Sequence, residues 1–240
     1  MKISFCQTYG NDRKQLLEIK FRDKKFHQLL KFFDINIFSF HNCSEELINW
    51  FKQNNNIPNL KIFINNNITY TQCIKRLLNV VDTLKGNFFL FHQDDTFSFD
   101  NDNVVIEDLL HFLFLEKDIM LNLMFQKDEF QNLKSYKHLK TIELFENNSQ
   151  NFAKHKKWAF DDSPYICTTN YLPIIYDNNY LQYTDIWSAE HYLNHKFQQI
   201  DIKRFVTNKC LFKNYNFLGP NNWNQEYEIR TLTQKQLILA

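Results

Sequence analysis

Glycine and proline are scarce in this sequence, with only 3 glycines and 4 prolines among 240 residues. Flexible linkers and proline-rich or collagen-like segments need far more of both, so the composition excludes them. The 5 cysteines are scattered, form no Cys-x-x-Cys pair and are odd in number, which argues against a structural zinc site and against a disulfide framework. Unpaired thiols fit a reducing compartment, and we therefore expect a cytoplasmic location.

Excess charge and long apolar runs are also missing. The net charge is +1, without the strongly basic balance of a duplex-DNA reader, so we expect no nucleic-acid partner. No apolar run approaches the about 20 residues of a membrane span, and we expect neither a transmembrane segment nor a secretory signal. Peripheral membrane contact stays open through the basic run at residues 154–158. The absence of a GxxxxGK[ST] loop excludes P-loop chemistry.

The chain alternates apolar runs with amphipathic segments. Helical spacing predicts helices at residues 12–33, 45–53, 71–84, 104–116 and 185–197. Short apolar runs predict strands at residues 3–8, 35–40, 60–64, 87–91, 119–125, 141–145, 163–168 and 200–206. Strands that are apolar throughout indicate a mostly parallel sheet with helices on both faces. No repeat or linker divides the chain, so we predict one α/β domain over residues 1–240, with an irregular second half.

Polar residues follow each of the first four predicted strands. Because the carboxyl ends of parallel strands share one edge, and ligands bind outside that edge, these residues are expected to converge on one site. The four polar groups lie at residues 7–9, 41–42, 65–67 and 92–95. The last group contains Asp94 and Asp95 directly after a buried run, and paired carboxylates suit Mg²⁺ or Mn²⁺. A solvated turn is the alternative for such a pair.

Three stretches in this order resemble the nucleotide-sugar-binding half of GT-A glycosyltransferases of the family 2-like group. The stretches are "ISFCQTYGNDRKQL", "INIFSFHNCSEEL" and "KGNFFLFHQDDTF". The resemblance implies a GT-A-like, Rossmann-like fold in which residues 1–100 bind the nucleotide sugar and residues 101–240 form the acceptor side. It implies a nucleotide diphosphate sugar as donor, a UDP-sugar above all, and a glycan or lipid-linked acceptor.

The resemblance assigns roles at the end of the fourth strand. Asp95 matches the last position of the family's DxD motif and is the expected metal ligand for Mn²⁺ or Mg²⁺. Asp94 is a second ligand or an acceptor for a sugar hydroxyl. Gln93 replaces the first acid, as in a His-Gln-Asp variant of the group, and its amide would bond the ribose or the sugar. His41 replaces the acid that usually follows the second strand.

The resemblance also implies nucleotide contacts by Thr8, Tyr9, Arg13, Asn42 and Arg76. Tyr9 would stack on the base, Asn42 would bond a uracil or ribose edge, and the arginines would face the nucleotide and its phosphates. Each has a structural alternative, since a tyrosine at a strand end is often a half-buried core residue and an arginine is often solvated.

The late helix carries the candidate catalytic base. Inverting members of the group keep an acid near the start of this helix, where it deprotonates the acceptor hydroxyl. Glu190 is the better match, and His191 is the alternative because imidazole also accepts a proton near neutral pH. Asp185 matches a helix N-terminal acid. Two other functions stay open: a metal-dependent nucleotidyltransferase, and a non-catalytic nucleotide- or sugar-binding module.

Overall fold

The computed structural model describes residues 1–11, 13–22, 24–84, 88–93, 96–98, 103–116, 119–123, 134–135, 142–145, 164–199, 204–207 and 212–214. Its helices are α1 (Lys14–Arg22), α2 (Lys24–Phe32), α3 (Glu45–Asn54), α4 (Tyr70–Leu84), α5 (Asn103–Leu115), α6 (Leu172–Ile175) and α7 (Ile186–Gln199). Its strands are β1 (Lys2–Tyr9), β2 (Ile35–His41), β3 (Leu60–Asn65), β4 (Phe88–Gln93), β5 (Thr96–Ser98), β6 (Met120–Asn122), β7 (Lys134–Ser135), β8 (Ile142–Phe145), β9 (Tyr165–Thr168), β10 (Arg204–Thr207) and β11 (Phe212–Asn214).

Most strands belong to one mixed sheet. Within the described ranges this sheet has nine strands in the order β3-β2-β1-β4-β9-β6-β10-β8-β7. Strands β3, β2, β1 and β4 are parallel neighbours, and β9 runs antiparallel between β4 and β6. The chain winds outward from β1 through β2 to β3 and then returns to the other side of β1 as β4. The strand order therefore reverses between β1 and β4, which is where open α/β sheets bind ligands.

Helices cover both faces of the sheet, as the continuous apolar strands predicted. On one face, residues of α1, α2, α3 and α5 form a core with alternate residues of the strands. On the opposite face, which we call the α4 face, residues of α4, α6 and α7 form the second core. The predicted α/β class with a mostly parallel sheet is confirmed. None of the helices in the described part of the chain is long and apolar enough to cross a lipid bilayer.

Residues 12–33, predicted as one helix, are helical over Lys14–Arg22 and Lys24–Phe32, and residue 23 between these segments lies outside the described residues. The imidazole Nε2 of His27 donates to the backbone carbonyl of Phe21 at 2.7 Å. Phe21 and Phe26 meet edge to face, with ring centroids 5.4 Å apart, and both are buried.

Candidate functional site

The α4 face of the sheet changes from apolar to polar near the carboxyl ends of its first three strands. Gln7 is paired with Ser39 in one row across the sheet, and Tyr9, His41 and Asn65 form the next row toward the edge. Gln7, Ser39, His41 and Asn65 are buried, while Tyr9 is half-buried. Buried polar groups are costly unless they are hydrogen-bonded, so these two polar rows must satisfy one another.

A connected set of hydrogen bonds does this for most of these groups, while the buried Gln7 Nε2 has no hydrogen-bond partner among the described residues. Arg76 Nη1 donates to Asn65 Oδ1 at 2.9 Å, and Asn65 Nδ2 donates to Ser39 Oγ at 2.6 Å. Ser39 Oγ also lies 3.2 Å from His41 Nε2 and 3.1 Å from the Sγ of Cys73, which α4 places above the sheet. We call these five residues the rim network. The network joins β2 and β3 to α4 at the edge where the sequence predicted a site.

Burial keeps the titratable members of the rim network neutral. It lowers the pKa of His41 to about 4, so the imidazole carries no charge near neutral pH. Burial also raises the pKa of the Cys73 thiol, although Ser39 and the Arg76 charge oppose that shift. The fixed positive charge of the network therefore belongs to Arg76, whose side chain is exposed.

Aromatic rings lie against the network at the sheet edge. The Tyr9 ring stacks on His41 with centroids 4.5 Å apart, and it lies 6.2 Å from the ring of Tyr70, which begins α4. The Tyr9 hydroxyl donates to Gln7 Oε1 at 3.1 Å. Tyr9 and Tyr70 are both half-buried. The edge therefore presents flat aromatic surface beside hydrogen-bonding groups, which is the combination that a planar heteroaromatic ligand needs.

The loops at this edge are fixed to one another. Gly10, with a φ of 76°, donates its N–H to the His41 carbonyl at 3.0 Å. Asn42 and Asn67 adopt φ values of 50° and 60°, a left-handed region that asparagine tolerates better than most residues. Asn42 Oδ1 accepts from the Asn67 N–H at 3.1 Å, and the Asn42 N–H donates to the Asn65 carbonyl. These bonds hold the ends of β1, β2 and β3 in register.

The other face of the sheet carries a buried cation close to the end of β4. His92 is fully buried and packs edge-on against Phe26 at 5.3 Å. Lys20 of α1 is 2% exposed, and its Nζ lies 5.0 Å from the centre of the Phe26 ring. Burial lowers the pKa of His92 well below its usual value, and the Lys20 charge lowers it further. A lysine charge therefore lies beneath the strand that leads to Asp94.

The structure separates some of the predicted nucleotide-binding residues. Tyr9 faces α4, whereas Thr8, the next residue back in β1, is buried on the opposite face, as strand alternation requires. Arg13 precedes α1 and is half-buried, and Asn42 is exposed at the edge. Arg76 is held by β3, because its Nη1 also donates to the Ile64 carbonyl at 3.2 Å.

Predicted metal ligands Asp94 and Asp95 lie outside the described residues, as does the basic run at 154–158. Gln93 ends β4 and its backbone pairs with Gln7, but its side chain is also outside the description. Within the part of the chain that is described, no group of three or more His, Cys, Asp or Glu residues is placed to hold a metal ion. Metal binding by Asp94 and Asp95 therefore stays a prediction.

The start of α7 lies beside the start of α4. The Thr71 hydroxyl at the beginning of α4 donates to the Tyr183 carbonyl just before α7. Since α4 follows β3, this contact brings the first turn of α7 to the carboxyl-end side of the sheet. Asp185 caps α7 as the sequence predicted, because its Oδ1 accepts from the Ser188 N–H at 2.8 Å.

The candidate bases follow in the second turn of α7. Ala189 is buried against the α4-face core, and Glu190 beside it is half-buried, while His191 is exposed. Both side chains also make contacts of their own. These positions do not test the catalytic role of either residue, which stays a prediction.

Ser39, Cys73 and Tyr70 were not singled out as site residues by the sequence, and Asn65 was expected only as part of the polar group at residues 65–67. Ser39 is enclosed between two phenylalanines in the run "FSF", and such a serine gives no signal of its own. The usable signal was the spacing Ser39-x-His41, which matches Gln7-x-Tyr9 and puts each pair on one face of its strand. The strand register then unites the two pairs.

No protein-family model matches the chain, and no curated protein matches it. Solved structures share its fold. S. aureus TarS residues 1–349 superpose with a TM-score of 0.55 at 12% identity, covering 88% of this chain and 60% of that chain. The same TarS segment bound to UDP-GlcNAc superposes with a TM-score of 0.55 at 14% identity, covering 88% of this chain and 58% of that chain.

Two shorter enzymes match over nearly their whole length. Apo UDP-glucose pyrophosphorylase gives a TM-score of 0.52 at 8% identity, covering 96% of this chain and 100% of that one. The 4-diphosphocytidyl-2C-methyl-D-erythritol synthase of Anaerococcus prevotii gives a TM-score of 0.51 at 16% identity, covering 85% of this chain and 87% of that chain. At these identities the likeness concerns the fold, and it supports the GT-A-like, Rossmann-like architecture that the sequence predicted.

Proposed function

We propose that the chain is a glycosyltransferase that moves a sugar from a UDP-sugar to a hydroxyl group of a glycan or lipid-linked acceptor. The observation that carries this proposal is the pair of polar rows at the carboxyl ends of β1, β2 and β3, next to the reversal of strand order. The fold likeness to S. aureus TarS, whose structure is known with UDP-GlcNAc, supports the same reading.

The base would bind at the aromatic edge formed by Tyr9, with Asn42 bonding its polar edge or the ribose. Thr8, Arg13 and Arg76 complete the proposed nucleotide contacts, although Thr8 acts from the opposite face and therefore through the backbone. Gln93 and Asp94 would bond the ribose and the sugar hydroxyls where β4 ends. Residues 1–100 thus form the proposed donor half, and residues 101–240 form the acceptor half.

Asp95, with Asp94 as a second ligand, would hold Mn²⁺ or Mg²⁺, which when bound would offset the charge of the departing diphosphate. Glu190, or His191 in its place, would take the proton from the acceptor hydroxyl as that oxygen attacks the anomeric carbon. Inversion in a single displacement follows from the resemblance. The buried thiols of Cys6, Cys43, Cys73 and Cys167, which are not in disulfides, support a reducing, cytoplasmic setting.

Two substitutions test the assigned roles. With a UDP-sugar panel, Mn²⁺ and candidate acceptors, we expect Glu190→Gln to lower the transfer rate by about 100-fold or more, because a general base contributes at least that much. Asp95→Asn should lose both transfer and slow donor hydrolysis. Asp82→Asn, which removes an exposed acid from α4, is the matched control and should leave both rates unchanged.

Rates are measured by release of UDP, and circular dichroism checks that each variant folds. Full activity of Asp95→Asn without added metal would contradict the metal assignment. Nucleotide binding without any turnover by the unaltered protein, on every sugar tested, would favour the non-catalytic alternative instead.

A nucleotidyltransferase remains the second candidate. Its specific support is the near-complete overlap with UDP-glucose pyrophosphorylase, since this chain spans only part of TarS. Against it, Gly10 is the one glycine between β1 and α1, where such enzymes usually carry a glycine-rich phosphate loop. Release of pyrophosphate from UTP and a sugar 1-phosphate would establish this activity, and its absence together with turnover of UDP-sugars would exclude it.

A further inference from the structure

Helix α7 is fastened to the loop that follows α6. Asp177 in that loop accepts from the Tyr192 hydroxyl at 2.7 Å and from Lys196 Nζ at 2.6 Å, both through Oδ2. Its other oxygen, Oδ1, accepts from the Tyr180 N–H at 2.9 Å. One carboxylate therefore joins its own loop to two successive turns of α7. We call the contacts of Asp177 with Tyr192 and Lys196 the α7 anchor.

The α7 anchor is a charge-assisted contact that is partly sheltered from solvent. The side chains of Lys196 and Asp177 are 15% and 31% exposed. Partial burial opposes the charged form of Asp177, but hydrogen bonds from Lys196, the Tyr180 N–H and the Tyr192 hydroxyl outweigh it and lower the pKa of the carboxyl. The carboxylate is therefore ionised at neutral pH, where hydrogen bonds to a charged acceptor are stronger than those between neutral groups.

Asp177 is itself held to the central sheet. In the sequence it lies between Tyr176 and Tyr180, which are 3% and 0% exposed and whose ring centroids are 4.9 Å apart. The Tyr176 hydroxyl lies 2.6 Å from the hydroxyl of Tyr165 in β9. Tyr165 pairs with Phe91 of β4, two residues before that strand ends. The α7 anchor therefore fixes α7 relative to the strand that leads to the predicted metal ligands.

The spacing of residues in α7 puts the anchor and the candidate base on opposite flanks of the helix. Ala189 and Leu193 are buried in the α4-face core and define the inner side of α7. At about 100° per residue, Tyr192 and Lys196 lie to one side of this inner line and Glu190 lies to the other. The anchor therefore resists rotation of α7 about its own axis.

We propose that Asp177 is a positioning residue, which sets the rotation of α7 and thereby the place of the Glu190 carboxylate relative to the end of β4. The inference rests on the proposed function, in which Glu190 takes the proton of the acceptor hydroxyl. Side chains extend about 5–6 Å from a helix axis, so a rotation of about 10° would move the carboxylate by about 1 Å. A displacement of that size can lower a reaction rate about 100-fold.

Steady-state kinetics of Asp177→Ala, with the UDP-sugar and acceptor that give the highest rate, test this role. We expect the kcat of transfer to fall about tenfold to 100-fold because the base is displaced, while the KM for the UDP-sugar stays within about twofold. Asp34→Ala is the matched control, because it removes another carboxylate that accepts a backbone N–H, from Lys2. Asp34 directly precedes β2, at the opposite edge of the sheet, so both kinetic constants should be unchanged.

A double variant tests whether the effect passes through the anchor. Lys196→Met should lower kcat less than Asp177→Ala does, since Tyr192 still bonds the carboxylate. Asp177→Ala combined with Lys196→Met should lose no more kcat than Asp177→Ala alone, because residues that act through one contact are not additive. Fully additive losses would overturn the assignment, since the two side chains would then act independently.

Hydrogen–deuterium exchange gives a readout that does not depend on activity. In Asp177→Ala the amides of α7 should exchange faster, while those of β1, β2 and β3 keep their rates. Unchanged exchange in α7, an unchanged kcat, or an equal loss of kcat in Asp34→Ala would overturn the positioning role. Absence of transfer by the unaltered protein would instead remove the proposed function, and exchange alone would then decide whether Asp177 holds α7.

Discussion

The sheet carries one buried histidine on each of its two faces. His41 lies on the α4 face within the rim network, and His92 lies on the opposite face near Lys20. Burial lowers the pKa of each, so that each enters the folded state without charge. At the scale of single residues, the site is therefore built largely from neutral polar groups whose few fixed charges are on Arg76 and Lys20.

The lowered pKa values predict a loss of stability in mild acid. In the unfolded chain a histidine takes up a proton near its ordinary pKa of about 6.5, whereas folded His41 does so only near 4. The stabilisation is fully present above about pH 6.5, and between about 6.5 and 4 it is lost at up to about 1.4 kcal/mol per pH unit for each such histidine.

Urea unfolding at pH 7, 5.5 and 4.5 measures this dependence. His41→Gln carries no titratable group, so it should unfold more easily at pH 7 but lose less stability on acidification than the unaltered protein. His92, whose pKa burial also lowers, contributes to the dependence that remains. Among the neighbours of His41, the Arg76 charge is constant and the thiol of Cys73 has a raised pKa, so neither titrates in this range. Identical pH dependence of the two proteins would refute the assignment.

The sequence predicted which strand ends carry the candidate site and missed how its side chains are held together. Tyr9, Asn42 and Gln93 all lie at strand ends, where the continuous apolar runs predicted them. The roles of Ser39 and Asn65 depend on which strands are neighbours and in what register, and neither property is encoded locally. The role of a polar residue within an apolar strand can be assigned only when its hydrogen-bond partners on the neighbouring strands are known.

At the scale of elements, the residue that caps helix α3 also holds a loop at the carboxyl-end edge of the sheet. Ser44 caps α3, because its Oγ accepts from the Leu47 N–H at 3.3 Å. The Ser44 N–H in turn donates to Asn11 Oδ1 at 2.5 Å, which ties the loop after β1 to the loop after β2. One short segment therefore ends a strand, begins a helix and holds the neighbouring loop.

We expect Ser44→Ala to lower the free energy of unfolding by about 1 kcal/mol, the usual cost of losing such a cap. Ser44→Gly should lower the free energy of unfolding by only a few tenths of a kcal/mol, since glycine is itself tolerated at the N-cap position. Lys52→Ala, an exposed change near the end of α3, serves as control. Chemical denaturation of the variants at one pH decides the matter, and equal losses for alanine and glycine would argue against capping.

Long elements were predictable because their apolar spacing repeats several times, as in α4 and β1. Short ones were not, and strands β5, β7 and β11, of two or three residues each, gave no pattern to detect. The bond from the His27 imidazole to the Phe21 carbonyl was not predictable either, because it depends on a folded geometry that periodicity does not contain.

At the scale of the whole molecule, ligand binding should be visible as thermal stabilisation. UDP present at 100 times its dissociation constant would add about 2.7 kcal/mol to the free energy of unfolding. For a protein of this size, that corresponds to a rise in Tm of about 5–10 °C. Differential scanning fluorimetry with nucleoside diphosphates, with and without Mn²⁺, measures the shift. An unchanged Tm with every nucleotide would contradict a nucleotide site.

Strand β9 has a consequence for any attempt to isolate the donor half. It is buried at every position and lies between β4 and β6, so the later chain supplies the hydrogen-bonding neighbour of β4. A fragment ending near residue 100 would leave one whole edge of β4 bare, with Phe88 to Phe91 along it. Open apolar edges of this kind recruit other chains. Such a fragment would aggregate, and the proposed donor half can be studied only within the longer chain.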